Sequence, residues 1–282
     1  MRMPRLAIAL AASLAAVLTS GSGAARAAVA PAALPSFDHI VVVIEENHSF
    51  SEVIGDSSAP YLTSLADGGA NMTQSFAVTH PSQPNYLALF SGSTQGTTSD
   101  SCPHTFSAEN LGHQLIAAGL TFKGYSESMP SDGYTGCTSG RYARKHNPWV
   151  NFTNVPASSN VRFSTFPTDY TTLPKLSFVV PNLCDDMHDC SVSTGDSWLQ
   201  TNLGAYATWA ASHNSLLAVT FDEDDSSASN QIPTLFSGAH VATGAYAEHI
   251  THYSVLRTLE SLTGLACVGS SCSASPITDI WS

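Results

Sequence analysis

The chain has 282 residues, of which 43% are hydrophobic and only 11% charged, and its formal net charge is −12 at pH 7. That length suits one α/β domain with a large buried core. The charge excludes binding to nucleic acid or anionic membranes through bulk electrostatics, so an anionic substrate must be attracted locally.

The N-terminus reads as a processing signal. Arg2 and Arg5 precede an apolar run from Ala7 to Leu18, which is short for a bilayer span. Ala25-Arg26-Ala27 and Ala28-Val29-Ala30 then offer small-residue cleavage patterns. The expectation is a secreted protein, with a signal peptide in residues 1–30 cut after Ala27 or Ala30. Residues 31–282 then form a single domain with no integral membrane segment. Cleavage leaves seven basic against 22 acidic residues, a net charge near −15 with neutral His. Six Cys in an exported chain favour disulfides. Cys184 and Cys190 are close in sequence, as are Cys267 and Cys272, and Cys102 with Cys137 would complete one of the many pairings allowed.

Along the rest of the chain, short apolar runs alternate with helical patterns. This predicts an α/β fold with a mostly parallel central sheet and helices on both faces. Ile40 to Ile44 is a continuous β-branched run, as a doubly buried strand requires. Residues 84–91 read as a short helix, with Pro84 in the first turn and Gly92 past its end. Residues 109–118 read as helix and Thr121 to Tyr125 as strand. Leu176 to Val180 is a further strand. Asp196 is expected to cap a helix running to about Ser212. Leu216 to Phe221 and Ile232 to Phe236 read as strands, and Tyr253 to Leu262 as the last helix.

Polar residues collect where these strands end. Glu45, Glu46 and Asn47 follow the first strand. Asn182, Asp185, Asp186 and His188 follow the one ending at Val180. Asp222, Glu223, Asp224 and Asp225 follow the one ending at Phe221. Open parallel sheets bind ligands at the carboxyl ends of their strands, so three strands would bring acids to one edge. Ser82 lies just before the Pro-initiated helix, where free N–H groups and a partial positive charge stabilise an anion. An N-cap is the plain alternative for such a serine.

Ser82-Gln83-Pro84-Asn85 resembles the nucleophile motif of a bacterial phosphoesterase family that includes secreted acid phosphatases and non-haemolytic phospholipases C. That family belongs to the alkaline phosphatase superfamily. Further resemblances follow in the same order: Glu46-Asn47-His48-Ser49-Phe50, Lys145-His146-Asn147-Pro148-Trp149, Pro181 to Asp189, Phe221-Asp222-Glu223 and Thr251-His252-Tyr253-Ser254. They run from about Asp38 to Leu265. The resemblance implies an alkaline-phosphatase-like fold and a divalent metal held by Glu46, Asn47, Ser82, Asp222 and Glu223. It implies Ser82 as nucleophile, His146 and His188 on phosphate oxygens with one of them protonating the leaving group, and catalytic roles for Asp186 and His252. Asn85 would add a donor to a phosphoryl oxygen.

The chemistry agrees with this set. Phosphate esters need charge neutralisation, an in-line nucleophile and leaving-group protonation. The proposed ligands are all oxygens, which favour Ca²⁺, Mg²⁺ or Mn²⁺. The expected activity is a phosphomonoesterase of the acid phosphatase type working through a phosphoseryl intermediate. Its substrates would be small-molecule or lipid-headgroup phosphate esters, phosphoinositide monophosphates among them. A phosphodiesterase of the phospholipase C type is the alternative. Protonated His146 and His188 would place the pH optimum near or below about 6. The oligomeric state is not legible.

Overall fold

The structure is a computed structural model that describes Met1 and residues 34–282. Leu34–Ser282 forms one compact unit. The signal-peptide expectation lies outside the described residues.

The central sheet has eight strands. These are β1 (His39–Glu45), β2 (Ala70–Met72), β3 (Phe122–Ser126), β4 (Asn160–Arg162), β5 (Leu176–Val180), β6 (Ser215–Phe221), β7 (Thr234–Gly238) and β8 (Gly244–Tyr246). Their spatial order is β8-β2-β7-β6-β1-β5-β3-β4. β1 pairs in parallel with both β5 and β6, and β3 pairs in parallel with β5 and β4. Only β7 runs against its neighbours, β6 and β2. The sheet is therefore mostly parallel, as the alternating pattern predicts. β1 sits at its centre, which explains the unbroken apolar run from Ile40 to Ile44.

Among the described residues, five helices of seven or more residues cover the sheet: α1 (Pro60–Gly68), α2 (Ser82–Ser91), α3 (Leu111–Ala117), α4 (Val192–Ala210) and α5 (His252–Leu262). Alternation along β1 sends Ile40, Val42 and Ile44 into one core with residues of α2, α3 and α5. Val41 and Val43 enter a second core with residues of α1 and α4. Trp149 and Trp198 are buried, and Trp209 packs partly buried against the second core. Two of the three disulfides join the pairs close in sequence, Cys184 with Cys190 and Cys267 with Cys272, and the third joins the remaining Cys102 and Cys137.

Helix α2 is buried along its whole length. It ends at Gly92, whose φ of 66° is left-handed. A Cβ there would stand 2.0 Å from the Val268 carbonyl oxygen, so the close approach of the C-terminal loop also requires glycine. That loop is anchored by buried Glu260, which accepts from the Val268 N–H at 2.9 Å and from the Ser271 hydroxyl.

One expectation needs correcting. Asp196 does not cap its own helix, because α4 begins four residues earlier at Val192 with Ser191 at the N-cap. Asp196 sits buried in the second turn and caps α1 instead. It accepts from Tyr61 N at 3.1 Å and Leu62 N at 2.8 Å. Pro60 opens α1 without an N–H, so those two donors are the first that need partners. Asp196→Ala is expected to cost about 1–2 kcal/mol through the lost cap, read as a lower urea midpoint with an unchanged m-value.

Candidate active site

The carboxyl ends of β1, β5 and β6 meet the N-terminus of α2. Glu46 N donates to Asp186 O at 2.8 Å, and Asp222 N donates to Glu45 O at 3.0 Å, so the loops after the three strands are tied to one another. Asn47 turns with φ 54° and donates its N–H to Asp222 Oδ1 at 3.1 Å. Asparagine tolerates this left-handed turn better than most residues.

Ser82 is the first residue of α2, and Pro81 holds the N-cap position. Its hydroxyl does not cap the helix. It donates toward Glu46 Oε2 at 3.1 Å and Glu223 Oε1 at 3.2 Å. Asn47 Oδ1 and Asp222 Oδ2 are buried with no hydrogen-bond partner. Glu223 Oε2 meets His80 Nδ1 at 2.6 Å, and the other nitrogen of His80 lies 3.3 Å from Asp224 Oδ1. Ser82 thus joins Glu46 and Glu223 at one point, and the Asn47–Asp222 pair adds two buried oxygens without partners. Buried carboxylates without cations are costly, so the donor set fits a divalent cation.

Burial sets the electrostatics. It pushes the carboxyls of Glu46 and Asp222 well above their ordinary range, with repulsion from Asp222 adding to it at Glu46 and repulsion from Glu223 adding to it at Asp222. Glu223 is raised by burial against the pull of His80. Burial lifts Asp186 to about 7. Glu45 points to the opposite face from Glu46, in the register of Val41 and Val43. It is fully buried and raised by burial and by Asp186, Glu127 and Asp185.

The expected phosphate-contact residues lie beside this point. His146 is buried, with its ring stacked on Tyr86 at 5.1 Å between centroids. Tyr86 also donates its hydroxyl to Glu46 Oε1. Lys145 Nζ bonds Asp100 Oδ2 at 2.8 Å and lies 3.3 Å from His188 Nε2. Asp100 Oδ1 in turn accepts from Gln83 N at 2.9 Å. His188 lies on a loop closed by the Cys184–Cys190 disulfide.

Three expectations change. His146 does not gain charge in mild acid, because burial holds its pKa well below the ordinary value and neighbouring Lys145 adds to this. Asn85 has no free donor, because its amide nitrogen gives to Thr79 O at 2.7 Å and Pro81 O at 3.3 Å. Its Oδ1 accepts from Val78 N and Thr79 N, both at 3.0 Å, so it fixes the loop leading to Ser82. His252 faces a main-chain oxygen: its Nε2 donates to Asp222 O at 2.6 Å, and burial lowers its pKa to about 4. Tyr86, Asp100 and Asp189 were not singled out from the sequence. Tyr86 was the most accessible of them, since it lies four residues after Ser82 and so shares its helix face.

A model of the Phosphoesterase family matches residues 56–266. The chain belongs to the Phosphoesterase family. This phosphoesterase is a hydrolase of phosphate esters, as the sequence motifs imply. It is similar to the phosphatidylinositol-3-phosphatase of Mycobacterium tuberculosis, at 55% identity over 276 residues, covering 96% of this chain and 91% of that protein. It also resembles the phosphate-repressible acid phosphatase of Penicillium chrysogenum, at 32% identity, covering 83% of this chain and 61% of that one. Among solved structures it resembles a protein in the alkaline phosphatase superfamily from Vibrio parahaemolyticus. The TM-score is 0.61 at 14% identity, over 89% of this chain and 72% of that chain. At that identity the likeness speaks for the phosphoesterase fold alone.

Proposed function

We propose that this phosphoesterase is an exported, metal-dependent phosphomonoesterase that uses Ser82 as its nucleophile. The observation that carries the reading is the Ser82 hydroxyl, aimed at Glu46 and Glu223 beside the partnerless oxygens of Asn47 and Asp222. A divalent ion held by these residues would acidify the Ser82 hydroxyl and polarise the phosphoryl group. Calcium, magnesium and manganese suit such oxygen donors.

The chain's own groups account for the remaining steps. Ser82 Oγ gives its proton away along one of its hydrogen bonds to a carboxylate. It then bonds to phosphorus as the bond to the leaving alcohol breaks, and a phosphoseryl intermediate results. The N-terminus of α2 adds its partial positive charge to the phosphoryl oxygens. His146, held neutral, acts as a hydrogen-bonding group toward a phosphate oxygen. His188 and Lys145 are only partly buried and stand on the open side. His188 protonates the leaving oxygen there. Water then cleaves the phosphoserine and restores Ser82.

The relative with 55% identity over nearly the full chain, a phosphatidylinositol-3-phosphatase, supports a lipid-headgroup phosphate as the substrate class. We take phosphoinositide monophosphates as the substrate to test first, with soluble phosphomonoesters beside them. The three disulfides suit export to an oxidising compartment. The test is a paired assay of an aryl phosphate monoester and the matching diester across pH, with and without chelator. Chelator-sensitive monoester cleavage, faster in mild acid, is expected. Preferential diester cleavage, or turnover indifferent to chelator, overturns the reading.

A further inference from the structure

An α-helix leaves its first four N–H groups without partners of its own. At α2 the residues in those places are Pro81, Ser82, Gln83 and Pro84, and the two prolines have no N–H. Only Ser82 and Gln83 remain to hold an anion at this end. The Gln83 N–H is already taken, because it donates to Asp100 Oδ1 at 2.9 Å. The other oxygen of the same carboxylate accepts from Lys145 Nζ at 2.8 Å. One carboxylate therefore lies across two positive features suited to a phosphoryl group, the start of α2 and the Lys145 ammonium.

Three observations mark this pair as built. The first is bracing. The Cys102–Cys137 disulfide staples the loop carrying Asp100, and Cys137 O accepts at 2.9 Å from the N–H of Arg144, the residue before Lys145. Arg144 Nη2 also donates to His104 O at 2.9 Å, which ties the two segments a second time. An exposed ion pair without such bracing is worth little. The second is charge. Burial would raise the Asp100 carboxyl, but the bonds from Lys145 and from the Gln83 N–H outweigh it and hold the group below its ordinary value, so it stays ionised. The third is place. The Asp100 charge is felt at His146 and at Glu223, the carboxylate that receives the Ser82 hydroxyl. The side chains of Asp100 and Lys145 are 30% and 19% exposed, so an incoming anion can reach them.

With Ser82 and the start of α2 read as the phosphoryl site, we propose that Asp100 is an internal competitor for phosphate, a specificity-determining residue that keeps the hold on free inorganic phosphate weak. When an ester binds, the flexible Lys145 side chain turns part of its ammonium from Asp100 to a phosphoryl oxygen. The braced carboxylate beside it repels the same oxygens. That penalty falls alike on the phosphoryl group of substrate and of product. The ester offsets it with contacts to its alcohol part, which inorganic phosphate lacks. Asp100 thus favours the ester over the product and eases product release.

The test is the binding of inorganic phosphate to the protein supplied with Mg²⁺, read by calorimetry and as competitive inhibition of aryl phosphate turnover. Asp100→Asn keeps an oxygen for the Gln83 N–H and removes the charge, so the helix end stays capped. Its Kd and Ki for phosphate should fall about tenfold, the effect of one charge a few ångströms away in a partly screened site. Asp100→Ala should tighten phosphate as well, with a lower melting temperature from the lost partner of Gln83. Lys145→Gln should weaken it. A merely supporting role for Asp100 would loosen phosphate when the carboxylate is lost, so the sign separates the two. Equal or weaker phosphate binding in Asp100→Asn overturns the proposal. Failure of the nucleophile reading would look different, as turnover retained by Ser82→Ala while phosphate still binds more tightly to Asp100→Asn.

Discussion

Ser82→Ala is expected to lower kcat toward a phosphate monoester by at least about 10⁴-fold, the scale at which loss of an attacking oxygen is felt. The fold should survive. Ser82 contributes one hydroxyl to the first turn of α2 and caps nothing, while the packing of that helix rests on Tyr86, Leu87, Leu89 and Phe90. The substitution removes two hydrogen bonds to carboxyls but leaves those of Asn47, Tyr86 and His80 in place. The melting temperature should therefore change by only a few degrees. A covalent phosphoryl adduct trapped from wild type at low pH should be absent from the variant. A variant with near-wild-type kcat, or an adduct mapped to another residue, would remove Ser82 from the chemistry.

The metal-free protein should lose stability as pH rises. Asp186 ionises near 3.8 in a free chain and near 7 when folded, and Glu46, Asp222 and Glu223 are also raised, from 3.8 or 4.5. The folded state therefore holds more protons than the unfolded state between about pH 4 and pH 7. Stability falls with pH wherever that is so. Below this window both states are protonated and the penalty vanishes. For Asp186 alone the shift amounts to about 4 kcal/mol at most. In a domain of this size each kcal/mol moves the melting temperature by roughly 2–4 °C. A divalent ion replaces the protons as the neutralising charge, and at a hundredfold excess over its Kd it restores about 2.7 kcal/mol. Melts from pH 4 to 7 with chelator should slope downward, and added Mg²⁺ or Ca²⁺ should flatten the curve from its neutral end. A chelated protein whose melting temperature rises over that window would contradict the assignment of these carboxyls as raised by burial in the metal-free fold.

Much of this protein is legible along the chain, because its cues are local. A β-branched run must be a buried strand, and an acid at its end must sit at the sheet edge. Glu46, Asn47, Asp222, Glu223 and Asp186 were found in that way. Cys pairs a few residues apart fit the disulfides that close them. Ser82 announced itself by preceding a Pro-opened helix. What the tertiary structure decided depends on groups distant in sequence. Glu45 and Glu46 look alike in the chain, yet alternation sends only Glu46 to Ser82, and the choice depends on which face receives α2. Asp196 caps a helix 134 residues away from its own position. Asp100 meets Lys145 across 45 residues, and Tyr86 meets Glu46 across 40. The charge of His146 was misjudged for the same reason. An imidazole titrates by its surroundings, and desolvation arises only when α2, the loop carrying Lys145 and the loop after β5 close over one ring.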